Sequence, residues 1–554
     1  MKDLQSSFIK SLDKKIIFIS LLLFILAIID IFNLTSIGII LMYLFDFDKS
    51  NSNYINISFK IIDNIGIVEI LILMIIFNIV KFLFSFFVIR NYYRVVINFE
   101  KKLAKFLFDS ILNKNYEDFK SKNLSVYQRD LIEIKRYGNF LISKINLIKE
   151  ISFISLMIVF FTLNGGYVVL YGFFLLLALG VIYYFFYKNI LKRTGKNLQT
   201  YDEIKFRKFN EGLSSFKEIN LYKIVKEFSE NFAHHFSKSA NEIFRSNVIS
   251  AMPRYIFEVI ILIIILISCL LFLNYEAYFK SIDTSLFLIS FLTLLRLLPS
   301  FSVITNSINN LNFNSSAKNL LEKYSYENKS NSVVDTLDKT NQIKISNIFF
   351  SYYENQILSD INLDLIKNDK VLISGKSGSG KTTFINLIMG FLKPSSGKIL
   401  INEKIILENF SNWDNKLSYV SQNIFIFDKN IYENISLKDK YTADEKKWMD
   451  TLIYELDLKE AHINHNTKNI GYSGNQYSGG QLQRIAIARA LFRKPSVLIC
   501  DEATNSLDSL TENKIIKFIN SQNYIDILIF ISHNQSLKNH FNKVLSFPIK
   551  DISK

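Results

Sequence analysis

The sequence is poor in cysteine. It has two in 554 residues, Cys269 inside an apolar run and Cys500 inside an expected strand, which excludes a disulfide framework. It is also short of acid: 50 Asp and Glu stand against 65 Lys and Arg, a formal net charge of +15. Nucleic acid is one partner for such an excess. The basic residues, however, concentrate between apolar spans, which points to a membrane and to no nucleic acid. A coding bias toward Lys, Ile, Asn and Phe would give part of the same excess. No small-residue cleavage site accompanies the first long apolar run, which begins at Ile16 and is too long for a secretory signal, so a retained span is expected there. Apolar side chains are abundant: 49% of residues are hydrophobic and 14% aromatic, with 50 Phe and 28 Tyr. The chain is too long for one ordinary domain, and this composition suits one that is part membrane and part soluble.

Apolar spans are expected at about 16–45, 65–89, 146–163, 167–187, 255–273 and 284–304, six crossings of the ~20 residues a bilayer requires. The third is crowded at its start by Lys144, Lys149 and Glu150. Stretches 90–144 and 188–250 are rich in Lys and Arg, whereas the loops at 46–64, 164–166 and 274–283 hold only Lys49, Lys60 and Lys280. That asymmetry places the basic stretches, and with an even number of crossings both termini, in the cytoplasm. Phe99, Leu103, Phe106, Leu107 and Ile111 recur at helical spacing, as do Phe206, Phe209 and Leu213, so the basic stretches should continue the membrane helices. Residues 115–119 and 213–218 would then turn toward a soluble domain, or be ordinary amphipathic loops. The outer segment 45–62 reads as a short helix at the outer leaflet.

Three cations stand inside spans: Lys81 in the second, Arg254 opening the fifth beside Pro253, and Arg296 in the sixth. The acids set against them are Glu258, one turn from Arg254, and Glu69 near the outer end of the second span. An ionisable residue at membrane depth is costly and by default faces a water-filled path or a partner. The balance leaves a positive surface suited to an anionic substrate. Snorkelling to the interface, or an Arg254–Glu258 pair that only locks the helix, is the alternative.

Residues 324–342 are polar and aperiodic, a linker, and from 343 onward short strands alternate with helices as in an α/β domain. Val371 to Ile373 form an apolar strand run. Gly375-Lys376-Ser377-Gly378-Ser379-Gly380-Lys381-Thr382-Thr383 follows, then a helical apolar pattern through Phe384, Leu387 and Ile388. This is G-x-x-x-x-G-K-[ST] between a strand and a helix. Its glycines let backbone N–H groups face phosphate oxygens, and the helix adds its positive end. Lys381 should reach the β- and γ-phosphates of ATP, and the Thr382 hydroxyl should ligate Mg²⁺.

Further along, Ser478-Gly479-Gly480-Gln481 opens a second helix with a Gly-rich phosphate-binding end. Val497 to Cys500 form a buried strand run ending in Asp501, placed to hold Mg²⁺ through water, and Glu502, placed to polarise the attacking water. Asp508 closes the next turn. Gln422 follows another strand, where it can reach Mg²⁺ or the water. His533 ends the run I-L-I-F-I-S, where an imidazole can meet the γ-phosphate. Tyr352, or its neighbour Tyr353, can stack on adenine.

The order of these motifs resembles the nucleotide-binding domain of ABC transporters, and six spans ahead of it resemble the exporter arrangement. Tyr477 stands where the family's signature begins with Leu, Asn534 follows His533 in place of Arg, and Gly471–Asn475 lacks the acid many exporters carry there. The resemblance implies an all-α six-span membrane domain (1–323), the linker (324–342) and an α/β P-loop nucleotide-binding domain (343–554). It also implies a half-transporter in the cytoplasmic (inner) membrane that pairs with a second, identical chain. In such dimers the P-loop of one chain and Ser478 and Gly480 of the other sandwich each ATP. The segments 251–258, 295–300 and 115–119 resemble the bacterial flippases for lipid-linked oligosaccharides of protein N-glycosylation. In that group basic residues of the second, fifth and sixth spans meet a lipid pyrophosphate, and Lys81, Arg254 and Arg296 fall at matching places. The leading expectation is therefore a flippase for a polyprenyl-pyrophosphate-linked oligosaccharide. A general exporter of lipid, drug or peptide is the alternative, the peptide option lowered because no peptidase-like domain precedes the first span. A nucleotide-gated channel or regulator is disfavoured by Glu502 and His533.

Overall fold

The computed structural model describes residues 2–44, 53–163, 167–274, 284–325, 340–403, 405–407, 413, 415–459 and 477–547. Most of the expected linker, the loop Gly471–Asn475 and the loops at 45–52, 164–166 and 275–283 lie outside them. The chain divides into two compact units: Met1–Lys114 with Asp118–Lys329, and Asn115–Glu117 with Ser330–Lys554.

The first unit is helical. Its helices are α1 (Lys2–Leu44), α2 (Asn53–Ile65), α3 (Ile67–Leu112), α4 (Tyr116–Lys120, whose first two residues belong to the second unit), α5 (Leu124–Leu163), α6 (Tyr167–Ser214), α7 (Phe216–Leu221), α8 (Val225–Asn274), α9 (Thr284–Phe313) and α10 (Asn319–Ser325). The 46 residues of α3 reach about 70 Å at 1.5 Å each, more than twice the ~30 Å hydrocarbon layer. Span and basic stretch are thus one continuous helix, in α6 as in α3. Among the described residues five helices are long and apolar enough to cross a membrane. The sixth expected span falls within α9.

Two clusters hold this unit together. Ala27, Met42, Phe153, Phe161, Phe173, Leu176, Phe257, Leu297 and Phe301 interlock α1, α5, α6, α8 and α9. Val88, Tyr92, Val96, Phe99, Leu103 and Leu107, spaced by three and four, form one buried face of α3 against Ile19, Leu23, Ile134 and Leu141. The opposite face of α3 leaves Ile72, Ile76, Ile79, Phe82, Leu83 and Phe86 exposed, an apolar surface of the kind acyl chains cover. Pro253, inside α8, has no N–H to give to the Ile249 carbonyl one turn back. That carbonyl instead accepts from the Tyr183 hydroxyl of α6 and, at 3.5 Å, from Asn309 Nδ2 of α9. The place of the missing helix bond thereby becomes a three-helix tie. A short helix, α2, overlaps the segment 45–62 and is tied to the end of α1 by the Tyr43 hydroxyl donating to Asp63 at 2.8 Å.

The second unit contains β1 (Gln342–Tyr352), β2 (Asn355–Ile366), β3 (Asp369–Gly375), α11 (Lys381–Ile388), β4 (Ser396–Ile401), β5 (Ile405–Ile406), β6 (Leu417–Val420), α12 (Ile431–Ser436), α13 (Ala443–Glu455), α14 (Gly479–Phe492), β7 (Val497–Asp501), α15 (Ser509–Asn520), β8 (Ile527–Ile531) and β9 (Lys543–Phe547). A four-stranded antiparallel sheet has the order β2-β1-β4-β5, and a five-stranded parallel sheet the order β6-β7-β8-β3-β9. Every residue of β7 and β8 is buried, as parallel strands covered on both faces must be. The register sets Ile373 of β3 and Asp501 of β7 on either side of Ile531 of β8. The segments leaving those three strands therefore emerge side by side at one carboxyl edge, where open α/β sheets bind ligands.

Candidate nucleotide site and intramembrane charge cluster

The P-loop leaves β3 at Gly375 and enters α11 at Gly380. Gly378 and Gly380 have φ of 79° and 94°, values that side chains rarely adopt. A Cβ on Gly380 would lie 2.9 Å from Leu358 Cδ2 and 3.2 Å from Ile357 Cγ2, so those side-chain ends would have to shift, and the positive φ is what favours glycine. Lys381 is buried, and its Nζ donates to the Gly375 and Lys376 carbonyls at 2.7 and 2.9 Å, holding the loop curled. Lys376, Ser377, Gly378 and Thr382 form the exposed rim, with Thr383 half-buried. Ser379 Oγ is buried without a hydrogen-bond partner. An orphaned hydroxyl, a lysine and a helix N-terminus around one curled loop fit a phosphate chain.

Beside the loop, Asp501 ends β7. Burial pushes its carboxyl pKa up and the neighbouring Glu502 adds to this, against a hydrogen bond from the Tyr419 hydroxyl at 3.3 Å and the charge of Lys381. The chain then turns sharply, because Glu502 has a φ of 51°. A non-glycine residue there costs about 1–3 kcal/mol and persists only where its surroundings fix it. Glu502 is fixed: its N–H donates to the Ile531 carbonyl at 3.1 Å. Its Oε2 accepts from Gln422 Nε2 at 2.8 Å and Asn505 Nδ2 at 2.7 Å, and its Oε1 lies 3.2 Å from His533 Nε2. The three expected catalytic residues, Glu502, Gln422 and His533, thus meet on one carboxylate. Asn505 was not among the expected site residues. Its signal, an amide three residues past the carboxylate, has meaning only once the turn at Glu502 is known. Glu512 braces the surroundings by accepting from Thr504 at 2.6 Å and from Asn534 at 2.9 Å. Asn534, one of the departures from the family pattern, is therefore a structural strut.

Ser478 caps α14. Its hydroxyl accepts from Gln481 N at 3.3 Å, and the Gln481 side chain accepts from Ser478 N at 2.9 Å, so these two expected site residues are bonded to each other. Gly479 and Gly480 lie against the turn after Glu502: a Cβ on Gly480 would be 3.2 Å from both Leu507 Cδ2 and the Ser506 carbonyl. Tyr477 is buried beside them, and burial pushes its hydroxyl up to about 12. Asp508 caps α15, accepting from Leu510 and Thr511 N–H groups that hold its carboxyl below the usual range. Tyr352 is half-buried with its ring edge-on to Phe350 at 4.9 Å, whereas Tyr353 is 97% exposed. Among the described residues no three His, Cys, Asp or Glu gather on one point. A bound Mg²⁺ would take Thr382, Asp501 and Gln422 together with phosphate oxygens and water.

In the first unit Lys81 and Arg296 converge on Asp30 of α1. Lys81 Nζ lies 2.7 Å from Asp30 Oδ1, and Arg296 Nη2 lies 3.8 Å from Oδ2. Arg296 also donates to Ser300 Oγ at 2.9 Å and lies 4.5 Å over the Phe153 ring. This corrects the sequence-based balance of three cations against Glu258 and Glu69. Asp30 sits in an otherwise apolar span and is the direct partner of two of the three. Nearby, Asn33 and Asn78 bond each other across α1 and α3 at 2.8 Å. Arg254 and Glu258 are both exposed and form no ion pair with each other.

Residues 358–505 match the family model described as ABC transporter. An ATP-dependent lipid A-core flippase of Francisella tularensis subsp. holarctica (strain OSU18) is 36% identical over 211 residues, 37% of this chain and 34% of its own length. The chain thus matches about a third of the length of that relative. A probable ABC transporter ATP-binding/permease protein of Haemophilus influenzae is 30% identical over 342 residues, 59% of this chain and 60% of its own. A lactococcin-A transport/processing ATP-binding protein of Lactococcus lactis subsp. lactis is 33% identical over 212 residues, covering 37% of this chain and 29% of its own. Among solved structures, a bacterial Atm1-family ABC exporter with ATP bound superposes with a TM-score of 0.76 at 18% identity, covering 97% of this chain and 93% of that one. The fold is that of an ABC exporter: a helical transmembrane region followed by an α/β ATP-binding domain.

Proposed function

We propose that the chain is one half of a dimeric, ATP-hydrolysing exporter of the inner membrane, with both termini in the cytoplasm, and that it moves an anionic amphiphile between leaflets. The observation carrying the ATPase reading is the Glu502 carboxylate, held by Gln422, Asn505 and His533 at the sheet edge where the P-loop also begins. Bound Mg-ATP supplies the phosphoanhydride and the charge on it. Lys381 would exchange its two loop carbonyls for phosphate oxygens, and Thr382 and Asp501 would take the metal. Glu502 would orient and deprotonate the attacking water, with His533 stabilising charge at the γ-phosphate. Ser478, Gly479 and Gly480 would close the site from the second chain.

For the cargo, Lys81, Arg254 and Arg296 support an anionic headgroup, and the finer reading is a polyprenyl-pyrophosphate-linked oligosaccharide. The names of the relatives favour a second reading, a lipid A-type lipid or a peptide. The separating experiment reconstitutes the protein in liposomes and follows ATP-dependent movement of a fluorescent polyprenyl-pyrophosphate oligosaccharide, with Glu502→Gln as control. Movement that needs ATP and Glu502 is expected. Intact hydrolysis without movement would sink the pyrophosphate reading and leave the exporter reading standing.

A further inference from the structure

The basic side chains read above as substrate contacts already hold an anion of the protein's own. Asp30 is 15% exposed at its side chain, and a lone carboxylate at membrane depth is costly. Its two oxygens serve two different helices, and the two contacts are unequal. The Lys81 contact, at 2.7 Å, is a hydrogen-bonded ion pair. The Arg296 contact, at 3.8 Å, is outside hydrogen-bond range and only electrostatic. Arg296 is otherwise steadied by the Phe153 ring and by a single donation to Ser300, so most of its five N–H donors are not engaged by these groups. Two cations and one anion leave this cluster with a formal charge of +1.

We infer that Asp30 is a built-in competitor for the headgroup: it occupies the basic pair in the ligand-free protein, and an anionic ligand binds by taking Arg296 away from it. The weak limb yields first. A phosphate or pyrophosphate offers Arg296 paired oxygens at hydrogen-bond distance, a better match to the guanidinium fork than one carboxylate oxygen at 3.8 Å. Asp30 then stays on Lys81, so no charge is left unpaired at depth. The consequence is selectivity. A neutral headgroup cannot outbid Asp30, and a zwitterionic one brings its own cation to a cluster that is already positive. Asp30 therefore sets a threshold that only a strongly anionic headgroup passes. This rests on the reading of Lys81 and Arg296 as substrate contacts.

The test uses the full chain in nonionic detergent without nucleotide, with farnesyl pyrophosphate as the probe and a zwitterionic alkylphosphocholine as the comparison ligand. Affinity is measured for wild type, Asp30→Asn, Lys81→Gln and the Asp30→Asn/Lys81→Gln double variant. Asp30→Asn is expected to bind the pyrophosphate about tenfold more tightly than wild type, the scale of a close charge pair gained or lost. The alkylphosphocholine should gain less, because the cluster then carries +2 and repels the zwitterion's own cation. If Asp30→Asn alone fails to fold in a melting assay, the double variant decides. It leaves no lysine unpaired, and it should bind more tightly than Lys81→Gln alone, because Arg296 has lost its internal rival in both comparisons. Wild-type binding with equal or weaker binding on removal of Asp30 would overturn the competitor role while leaving the anionic-substrate reading intact. No binding by any of the four proteins would overturn both.

Discussion

Glu502 carries a strained backbone and three side-chain partners, and each partner does something different for it. Gln422 and Asn505 both donate to Oε2, which engages that oxygen and leaves Oε1 beside His533. Asn505 acts through Glu502 and is a positioning residue. Asn505→Ala should lower kcat for ATP hydrolysis about tenfold with little change in KM, because a misplaced base costs chemistry and not ground-state binding. Asn505→Asp should be worse than Ala, since it sets a second carboxylate against the first. Equal effects on KM and kcat would argue for a purely structural role. Asp501 gives a prediction of opposite sign for stability. Its folded pKa is raised by burial, so its charged form opposes folding. That penalty is absent below the ordinary carboxylate pKa, grows as pH rises from there, and is complete above the folded value. At pH 7 without nucleotide, Asp501→Asn should raise the melting temperature while abolishing hydrolysis, and the gain should vanish toward pH 3. At this scale the contiguous motifs were legible because each is local backbone chemistry: a curled glycine loop, a strand tip, a helix cap. Asp30 was not legible. Its partners lie 51 and 266 positions away, and inside an apolar run it is a single letter without pattern.

Between elements, glycine marks where helices pass closest. A Cβ on Gly195 of α6 would stand 1.9 Å from the Phe313 carbonyl at the end of α9 and 3.2 Å from an Arg136 nitrogen. The nearest obstacle is backbone, which cannot rotate away. Gly195→Ala should therefore cost roughly 1–3 kcal/mol, the range for overpacking, and should be visible as a lower melting temperature in detergent. An unchanged melting temperature would mean that α9 can retreat at little cost. Helix lengths were readable in outline, since the apolar spans and the amphipathic stretches after them share one period. The tie at Pro253 was not. Its cause is local, a missing N–H, but the donors that answer it, Tyr183 and Asn309, come from two other helices. The basic stretches show the same limit. Their charge count suggested a side of the membrane, whereas the packing of Val88 through Leu107 against Ile134 and Leu141 depends on which helices meet.

At the scale of the whole molecule, the P-loop and the capped helix would be two halves of a site that need not serve each other. The P-loop ends β3, and Ser478 caps a different helix, with its hydroxyl bonded to its own Gln481 backbone. A two-fold dimer would complete each nucleotide site with the P-loop of one chain and the capped helix of the other. This arrangement can be tested without a dimer structure. Lys381→Ala removes the phosphate lysine, and Ser478→Arg blocks the capped helix end. In either homodimer both sites carry the defect, and both proteins should hydrolyse ATP at background rates. In a mixed dimer the two lesions fall on one site and the other is intact. Co-expressed and purified together, the pair should regain hydrolysis up to about a quarter of wild type, since half of randomly assembled dimers are mixed and each has one working site of two. A site built within one chain gives the contrary result: co-expression restores nothing, because every chain keeps its own lesion. Recovery on mixing, absent from both parents, is the outcome that requires two chains to share each ATP.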